Sequence, residues 1–251
     1  KDPRDLKPVF DQVACEGLNV TMLHTFDCSP AEMGLPGQAY FAGTHVNPQV
    51  TWWNQAGAFF AYLNRCHFLL QQGLPVSDVV CFYGENIPAF VRLKRDDPAG
   101  VLPGYDYDVI NAEALVARAS VRDGRIVLPD GTSYRLLVMP KYDATTLKTL
   151  AHIATLVESG ATVVGHKPQK PLGVGVLPED DAKFQAIATK LWGAGNADEP
   201  RENRVGQGRV ISGKTARAVL EEDGTGPDFT FTGEKEDSLL DYIHRTTGEA
   251  E

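Results

Sequence analysis

The sequence predicts an α/β protein in which helices cover a parallel sheet. Short apolar runs bounded by turn residues alternate with stretches whose apolar positions recur every three or four residues, the patterns of buried strands and half-buried helices. Glycines close the helical stretches, as they do where a chain leaves a helix through the left-handed region. The resulting β, α, β, α, β order sets the strands side by side and parallel, with helices on the faces.

Taken in order, residues 8–15 read as the end of a helix closed by Gly17 and Asn19. Residues 20–26 (VTMLHTF) suit a buried parallel strand whose carboxyl end delivers His24, Thr25 and Asp27. A long loop without helical or strand period follows. Residues 55–72 then carry Phe59, Tyr62, Leu63, Cys66, Leu69 and Leu70 at helical spacing, and Gly73 ends that helix. A second unit opens with a strand over residues 76–83 and a turn at Gly84. Glu85 and Asn86 read as turn residues at the edge where open α/β sheets bind ligands. Residues 108–119 read as a helix, with the Tyr105, Asp106, Tyr107, Asp108 run leading into it. Hairpins are expected around Asp123-Gly124 and Asp130-Gly131, then a strand over 135–139 stopped by Pro140, a helix over 145–158 and a strand over 162–165. From Pro168 the chain is richer in Gly, Pro and charge, with a helix over 180–192, a short strand over 209–211 and a terminal helix over 235–245. The expected division is 1–74, 75–200 and 201–251. The start without Met and the helix-like close both read as cuts in a longer chain.

With 251 residues, 43% of them hydrophobic, the chain can bury a real core. A net charge of -9 and the lack of a Lys/Arg cluster argue against nucleic acid or an anionic membrane surface as partner. No apolar run approaches the roughly 20 residues that span a bilayer. Cys15, Cys28, Cys66 and Cys81 form neither a CxxC pair nor a zinc pattern, so no disulfide framework is expected, and the three in apolar segments read as buried thiols. No GxGxxG or P-loop pattern is present. Cys81, the best-placed nucleophile, lies inside a strand without the flanking glycines of a nucleophile elbow. His24, His45 and Asp27 have no metal-site spacing and read as groups that orient a ligand.

The chemistry concentrates in residues 24–53. Sugar rings present apolar C–H faces that pack on indole, and hydroxyl rims that need convergent donors and acceptors. This loop supplies both kinds of group among Gly and Pro, so His24, Thr44, His45, Asn47, Trp52 and Trp53 are the candidate substrate-binding residues. One of the two tryptophans is expected to pack the following helix against the core. Asp27 and Glu32 are the carboxyls on the expected active face, and Asp27 is the candidate for catalysis. His67 and His152 lie on helices and read as surface or core groups.

The blocks GTHVNPQVTWW (residues 43–53) and GYDYDVIN (residues 104–111), with YLNRCHFLLQQGLPVSDVVCFYGE and DGRIVLPDGTSYRLLVMP, resemble glycoside hydrolase family 106, the α-L-rhamnosidases. The resemblance covers about residues 7–250. It implies the C-terminal portion of a (β/α)8 barrel followed by a flavodoxin-like or amidotransferase-like parallel α/β domain. Residues 1–74 would be the last strand, loop and helix of the barrel, 75–200 the α/β domain, and 201–251 a strand and helix extension leading to a further domain. It implies an inverting α-L-rhamnosidase acting on plant or microbial polysaccharide or glycoside, in the periplasm or secreted. Glycoside hydrolysis uses two carboxyl groups in opposite protonation states. The resemblance assigns them to earlier barrel strands, upstream of Lys1, so the piece alone should be inactive. It would pack against the rest of the barrel and the downstream domain. No cofactor is required, and a structural or active-site calcium ion is compatible with the family. The alternative from a different class is a non-catalytic α/β module for interaction or oligomerisation. A third is an amidotransferase-like enzyme working through Cys81.

Overall fold

The first helix, Pro3–Cys15 (α1), is set by its own start. The Asp2 side chain accepts from the Arg4 N–H at 2.8 Å, the Asp5 carboxylate accepts from the Asp2 N–H at 3.0 Å, and Pro3 occupies the first turn, where no amide donor is needed. The structure, a computed structural model, describes residues 1–88, 90–194, 200–233 and 240–248. They fall into two compact units, Lys1–Gly73 with Asp241–Glu251, and Leu74–Leu240.

In the first unit the second helix, Gly57–Leu70 (α2), packs Leu63 and Leu70 against Phe10 and Ala14 of α1, with Leu18, Phe59, Tyr62 and Ile243 around them. The Tyr62 hydroxyl donates to Asp11 Oδ1 at 2.5 Å, which ties the two helices together. Residues 20–26, expected as a buried strand, form none. Met22 is 91% exposed and Phe26 63%, and the backbone bonds there run from Thr25 and His24 to Thr44 and Val46 of the chain's own loop. A parallel strand exists only against neighbours, and the described residues supply none at this place. The predicted terminal helix falls partly outside the described residues. Its described part is not helical: residues 240–244 have no regular structure, and Arg245 donates to the carbonyls of Gln72 and Gly73 at 2.7 and 2.9 Å.

The second unit is built on a six-stranded sheet. Its strands are Val79–Phe82 (β1), Tyr107–Ile110 (β2), Leu136–Val138 (β3), Thr162–Val164 (β4), Arg201–Val205 (β5) and Gly208–Ser212 (β6). Across the sheet they run β5-β6-β4-β3-β1-β2, all parallel except β5, which is antiparallel to β6. The helices are Ala112–Arg118 (α3), Leu147–Glu158 (α4), Pro178–Trp192 (α5) and Ala216–Glu222 (α6). On one face Val80, Phe82, Leu137 and Val163 meet Leu115 of α3, Leu150 and Ile153 of α4, and Phe184 and Leu191 of α5. On the other, Val79, Cys81, Leu136 and Ile211 meet Val219 and Leu220 of α6, with Val101 and Tyr105. Both faces are covered, which is why β1 and β3 read as unbroken apolar runs. The expected hairpins are present as an antiparallel three-stranded meander over Ser120–Arg122, Arg125–Val127 and Ser133–Tyr134. Among the described residues no helix is long and apolar enough to cross a membrane.

Three expectations differ from this arrangement. The helix expected over 108–119 is a strand followed by a shorter helix: β2 pairs with β1, and Asn111, whose Oδ1 accepts from the Ala114 N–H at 2.7 Å, starts α3. The run that was to lead into a helix instead buries Tyr105, pairs Asp106 with Lys94 at 3.2 Å and joins Asp108 to the Tyr134 hydroxyl at 2.9 Å. Residues 201–251 divide between the two units, because β5 and β6 extend the same sheet. Gly208 permits that close packing: a Cβ there would lie 2.3 Å from the carbonyl oxygens of both Val157 and Ala161.

Candidate functional site

The loop over residues 24–53 is folded back on itself by its own backbone. Thr44 N–H donates to the His24 carbonyl, Thr25 N–H to the Thr44 carbonyl and Val46 N–H to the Thr25 carbonyl, at 3.1 to 3.2 Å. Nearer its tip, Asp27 Oδ2 accepts from the Tyr40 N–H at 2.8 Å and Ser29 Oγ from the Gln38 N–H at 2.5 Å. Asp27, the candidate for catalysis, is thus a loop-closing acceptor.

A concavity of about 430 Å³ opens between this loop and the start of α1. His45, Asn47, Gln49 and Trp52 line one side, and Lys1, Asp2 and Asp5 another. His45 Nε2 lies 2.6 Å from the Tyr40 carbonyl oxygen. A carbonyl can only accept, so Nε2 carries a proton, and in the neutral ring Nδ1 is then the acceptor. Trp52 is half-buried, its Nε1–H donating to the Lys1 carbonyl at 3.2 Å, which fixes the indole in the wall. Gln49 Oε1 is buried and has no hydrogen-bond partner among the described residues. It is an acceptor waiting for a donor, since burying it unpaired is costly.

Of the six predicted binding residues, three line this concavity: His45, Asn47 and Trp52. Asn47 is 3% exposed, and its Oδ1 accepts from the Gln49 N–H at 3.0 Å, so it shapes the turn that carries Gln49. His24 lies outside the lining with its ring edge on Tyr40 at 5.3 Å, and Thr44 contributes backbone bonds. Trp53 packs edge-on between Phe26 and Phe60 at 6.2 and 6.0 Å, the packing role expected of one tryptophan of the pair. His67 on α2 accepts from the Thr21 N–H at 3.2 Å, a structural contact.

Sequence reasoning missed Asp2, Asp5 and Gln49. The capping pattern at Asp2 marks a helix start, and nothing in it signals a cavity. Arg4 holds the Asp2 carboxyl down at about 2 through hydrogen bonds to its side chain and from its backbone N–H, so Asp2 is an anion and no proton donor at neutral pH. Cys81 is buried in β1, and that burial pushes its thiol up to about 11, which removes it as a nucleophile. Among the described residues no three His, Cys, Asp or Glu side chains group closely enough to hold a metal ion.

Comparison with known proteins finds a family model, a relative and a solved structure similar to this chain. A family model, Glyco_hydro_106, described as alpha-L-rhamnosidase, matches residues 1–251. A protein of Formosa agariphila named "Putative beta-glucuronidase" is 36% identical over 203 residues, which is 78% of this chain and 17% of that protein. The solved structure of a rhamnosidase from Novosphingobium sp. PP1Y superposes with a TM-score of 0.79 at 31% identity, over 99% of this chain and 23% of that one. The chain therefore spans less than a quarter of the length of these relatives.

Proposed function

Since this chain belongs to glycoside hydrolase family 106, we propose that it is part of an inverting α-L-rhamnosidase and supplies one wall of the sugar site together with scaffold. The observation that carries the reading is the concavity in which Trp52 offers an apolar face, His45 Nδ1 a free acceptor and Gln49 Oε1 a buried acceptor without a donor. A sugar ring presents the complementary surface, C–H groups on one side and hydroxyl donors on its rim. The names of the relatives point to two different sugars, a rhamnoside and a glucuronide. The lining favours the first: Asp2 is already paired with Arg4 at 2.8 Å and Asp5 stands in the lining with Lys1, so no surplus of positive charge is offered to a glucuronate carboxylate, whereas a neutral deoxy sugar needs none.

The catalytic pair would come from polypeptide outside this chain. An inverting site holds its carboxyl groups about 6.5 to 9.5 Å apart around a water, one of them protonated, and Asp2 is held ionised by Arg4. On this reading the first unit belongs to the end of a (β/α)8 barrel, and residues 20–26, which form no strand here, would become its last strand only beside the rest of the barrel. The exposure of Met22, Leu35 and Phe41 supports this, since neighbouring barrel elements would cover them. The second unit is flavodoxin-like, a reading supported by its parallel strands running β2-β1-β3-β4-β6, the 2-1-3-4-5 order of that class.

Hydrolysis of aryl α-L-rhamnoside and aryl β-glucuronide by the longer protein tests the assignment, with His45→Ala, Trp52→Ala and Gln49→Leu beside the wild type. Each lost contact should lower kcat/KM on the rhamnoside by a factor corresponding to about 1 to 3 kcal/mol. Unchanged kinetics in all three would remove the concavity from the sugar site, and faster turnover of the glucuronide would reverse the choice of sugar.

A further inference from the structure

Open parallel sheets bind ligands in the crevice at the carboxyl ends of the strands, where two neighbouring strands send their connections to opposite sides. In this sheet that crevice lies between β1 and β3, because β1 connects onward to β2 on one flank and β3 to β4 on the other. Where a ligand carries a phosphate or carboxylate, the first turn of the adjoining helix holds it with free N–H groups and the positive end of the helix dipole. Here that helix is α4.

The crevice contains a carboxylate of the chain's own. Glu85, just beyond β1, places both carboxylate oxygens on the start of α4. Oε2 accepts from the Thr146 backbone N–H at 2.7 Å and from Thr145 Oγ at 2.6 Å, and Oε1 accepts from Thr146 Oγ and Thr149 Oγ, each at 3.0 Å. Thr145 and Thr149 are 3% and 2% exposed, so these donors face inward. One backbone amide and three hydroxyls converging on two anionic oxygens at a helix N-terminus is the donor set that a bound anion receives. The two connections also touch directly: a Cβ on Gly84 would meet the Tyr142 ring at 2.6 Å, so the residue before Glu85 is pressed against the segment that leaves β3.

We propose that Glu85 is the resident anion of this crevice: it takes the place a phosphate or carboxylate ligand would hold and pins the chain leaving β1 to the N-terminus of α4. The second unit is thereby closed to phosphate esters and serves as a scaffold whose ligand crevice is filled from within. Glu85 is a positioning residue, and the donors it engages are fully used. The inference is independent of the sugar-site reading, since it concerns residues of the second unit alone.

The experiment is thermal unfolding of the 251-residue chain in sodium chloride, sodium acetate and inorganic phosphate at matched ionic strength, for the wild type, Glu85→Ala and Glu85→Gln. Glu85→Ala should lower the midpoint by about 5 °C, and acetate or phosphate should restore more of it, saturably, than either adds to the wild type. Glu85→Gln, which keeps the volume and loses the charge, should also unfold earlier and exchange its Thr146 amide at least about tenfold faster, one decade being about 1.4 kcal/mol of opening. Should Glu85→Ala fail to fold, the Gln variant and its amide exchange decide alone. A wild-type midpoint and exchange rate in Glu85→Gln would overturn the proposal. So would equal responses of wild type and Glu85→Ala to acetate and phosphate, or saturable binding of phosphate by the wild type.

Discussion

The Lys94–Asp106 pair gives the sharpest energetic test of how the second unit is held. Its ends are 7% and 8% exposed and 3.2 Å apart, and Asp106 Oδ1 also accepts from the Tyr107 N–H at 2.8 Å. At an effective dielectric constant near 20 the attraction is about 5 kcal/mol, yet burial outweighs it and pushes the Asp106 carboxyl up to about 6 from its ordinary 3.8. A carboxyl whose folded value exceeds its unfolded value keeps more protons in the folded state between those limits. Stability therefore falls as pH rises from about 4 to about 6, by about 3 kcal/mol for this group. Lys94→Met removes the neighbouring cation and leaves the carboxylate buried, which should cost about 3 to 5 kcal/mol at pH 8. It also drives Asp106 still higher, so the loss should shrink below pH 6, where the carboxyl is neutral. Urea unfolding at pH 5 and pH 8 measures both, and Lys94→Met with Asp106→Leu should recover most of the deficit. A deficit of the same size at both pH values, or none at pH 8, would refute the account.

Gly208→Ala should destabilise the chain by about 3 kcal/mol, the upper range for overpacking, because its Cβ would overlap the Val157 and Ala161 carbonyl oxygens; chemical denaturation reads it directly. Trp53→Ala should cost about 2 kcal/mol, less than a fully buried aromatic, through its contacts with Phe26 and Phe60, whereas Trp52→Ala should act on saccharide affinity more than on stability. Iodoacetamide at pH 7.5 should label the exposed Cys28 and spare Cys81, whose thiol is buried and held protonated, and mass spectrometry of the native chain distinguishes the two.

The legible parts of the fold were those whose environment is supplied by the chain itself. β1, β3 and β4 are covered on both faces, so they read as apolar runs. β2 reads as part of a helix because the helical spacing of Ala112–Arg118 extends backward through Val109 and Ile110 in the sequence, and because an edge strand has a neighbour on one side only. β5, Arg201–Val205, is polar and mostly exposed, so its residues resemble a loop until β6 provides the ladder. Residues 20–26 present the reverse case. Their composition matches β1, but with no described partner beside them the same pattern leaves Met22 and Phe26 in the open. Apolar patterning thus reports what a segment needs covered, and the sheet it joins depends on which neighbours are present.

The site divides along the same line. Residue type singles out His45 and Trp52 in the sequence, and both line the concavity. Asn47, which also lines the concavity, and Asp27 have a use within the loop itself: the Asn47 amide oxygen accepts from the Gln49 N–H and the Asp27 carboxylate from the Tyr40 N–H. In both cases a short polar side chain closes a turn in a loop rich in Gly and Pro, and such a bond is satisfied within a few residues or across the loop's own base. The residues that sequence reasoning missed, Asp2, Asp5 and Gln49, enter the concavity only because α1 begins beside the loop, a proximity that no spacing encodes. The pairing of Trp52 with Trp53 shows how little separates the two outcomes. One indole stands in the wall with its N–H on Lys1, and the next, turned by the short helical segment Trp53–Gln55, packs against Phe26 and Phe60. Backbone direction at a single residue step separates the two indoles, so on the proposed reading Trp52 should respond to substitution through ligand and Trp53 through fold.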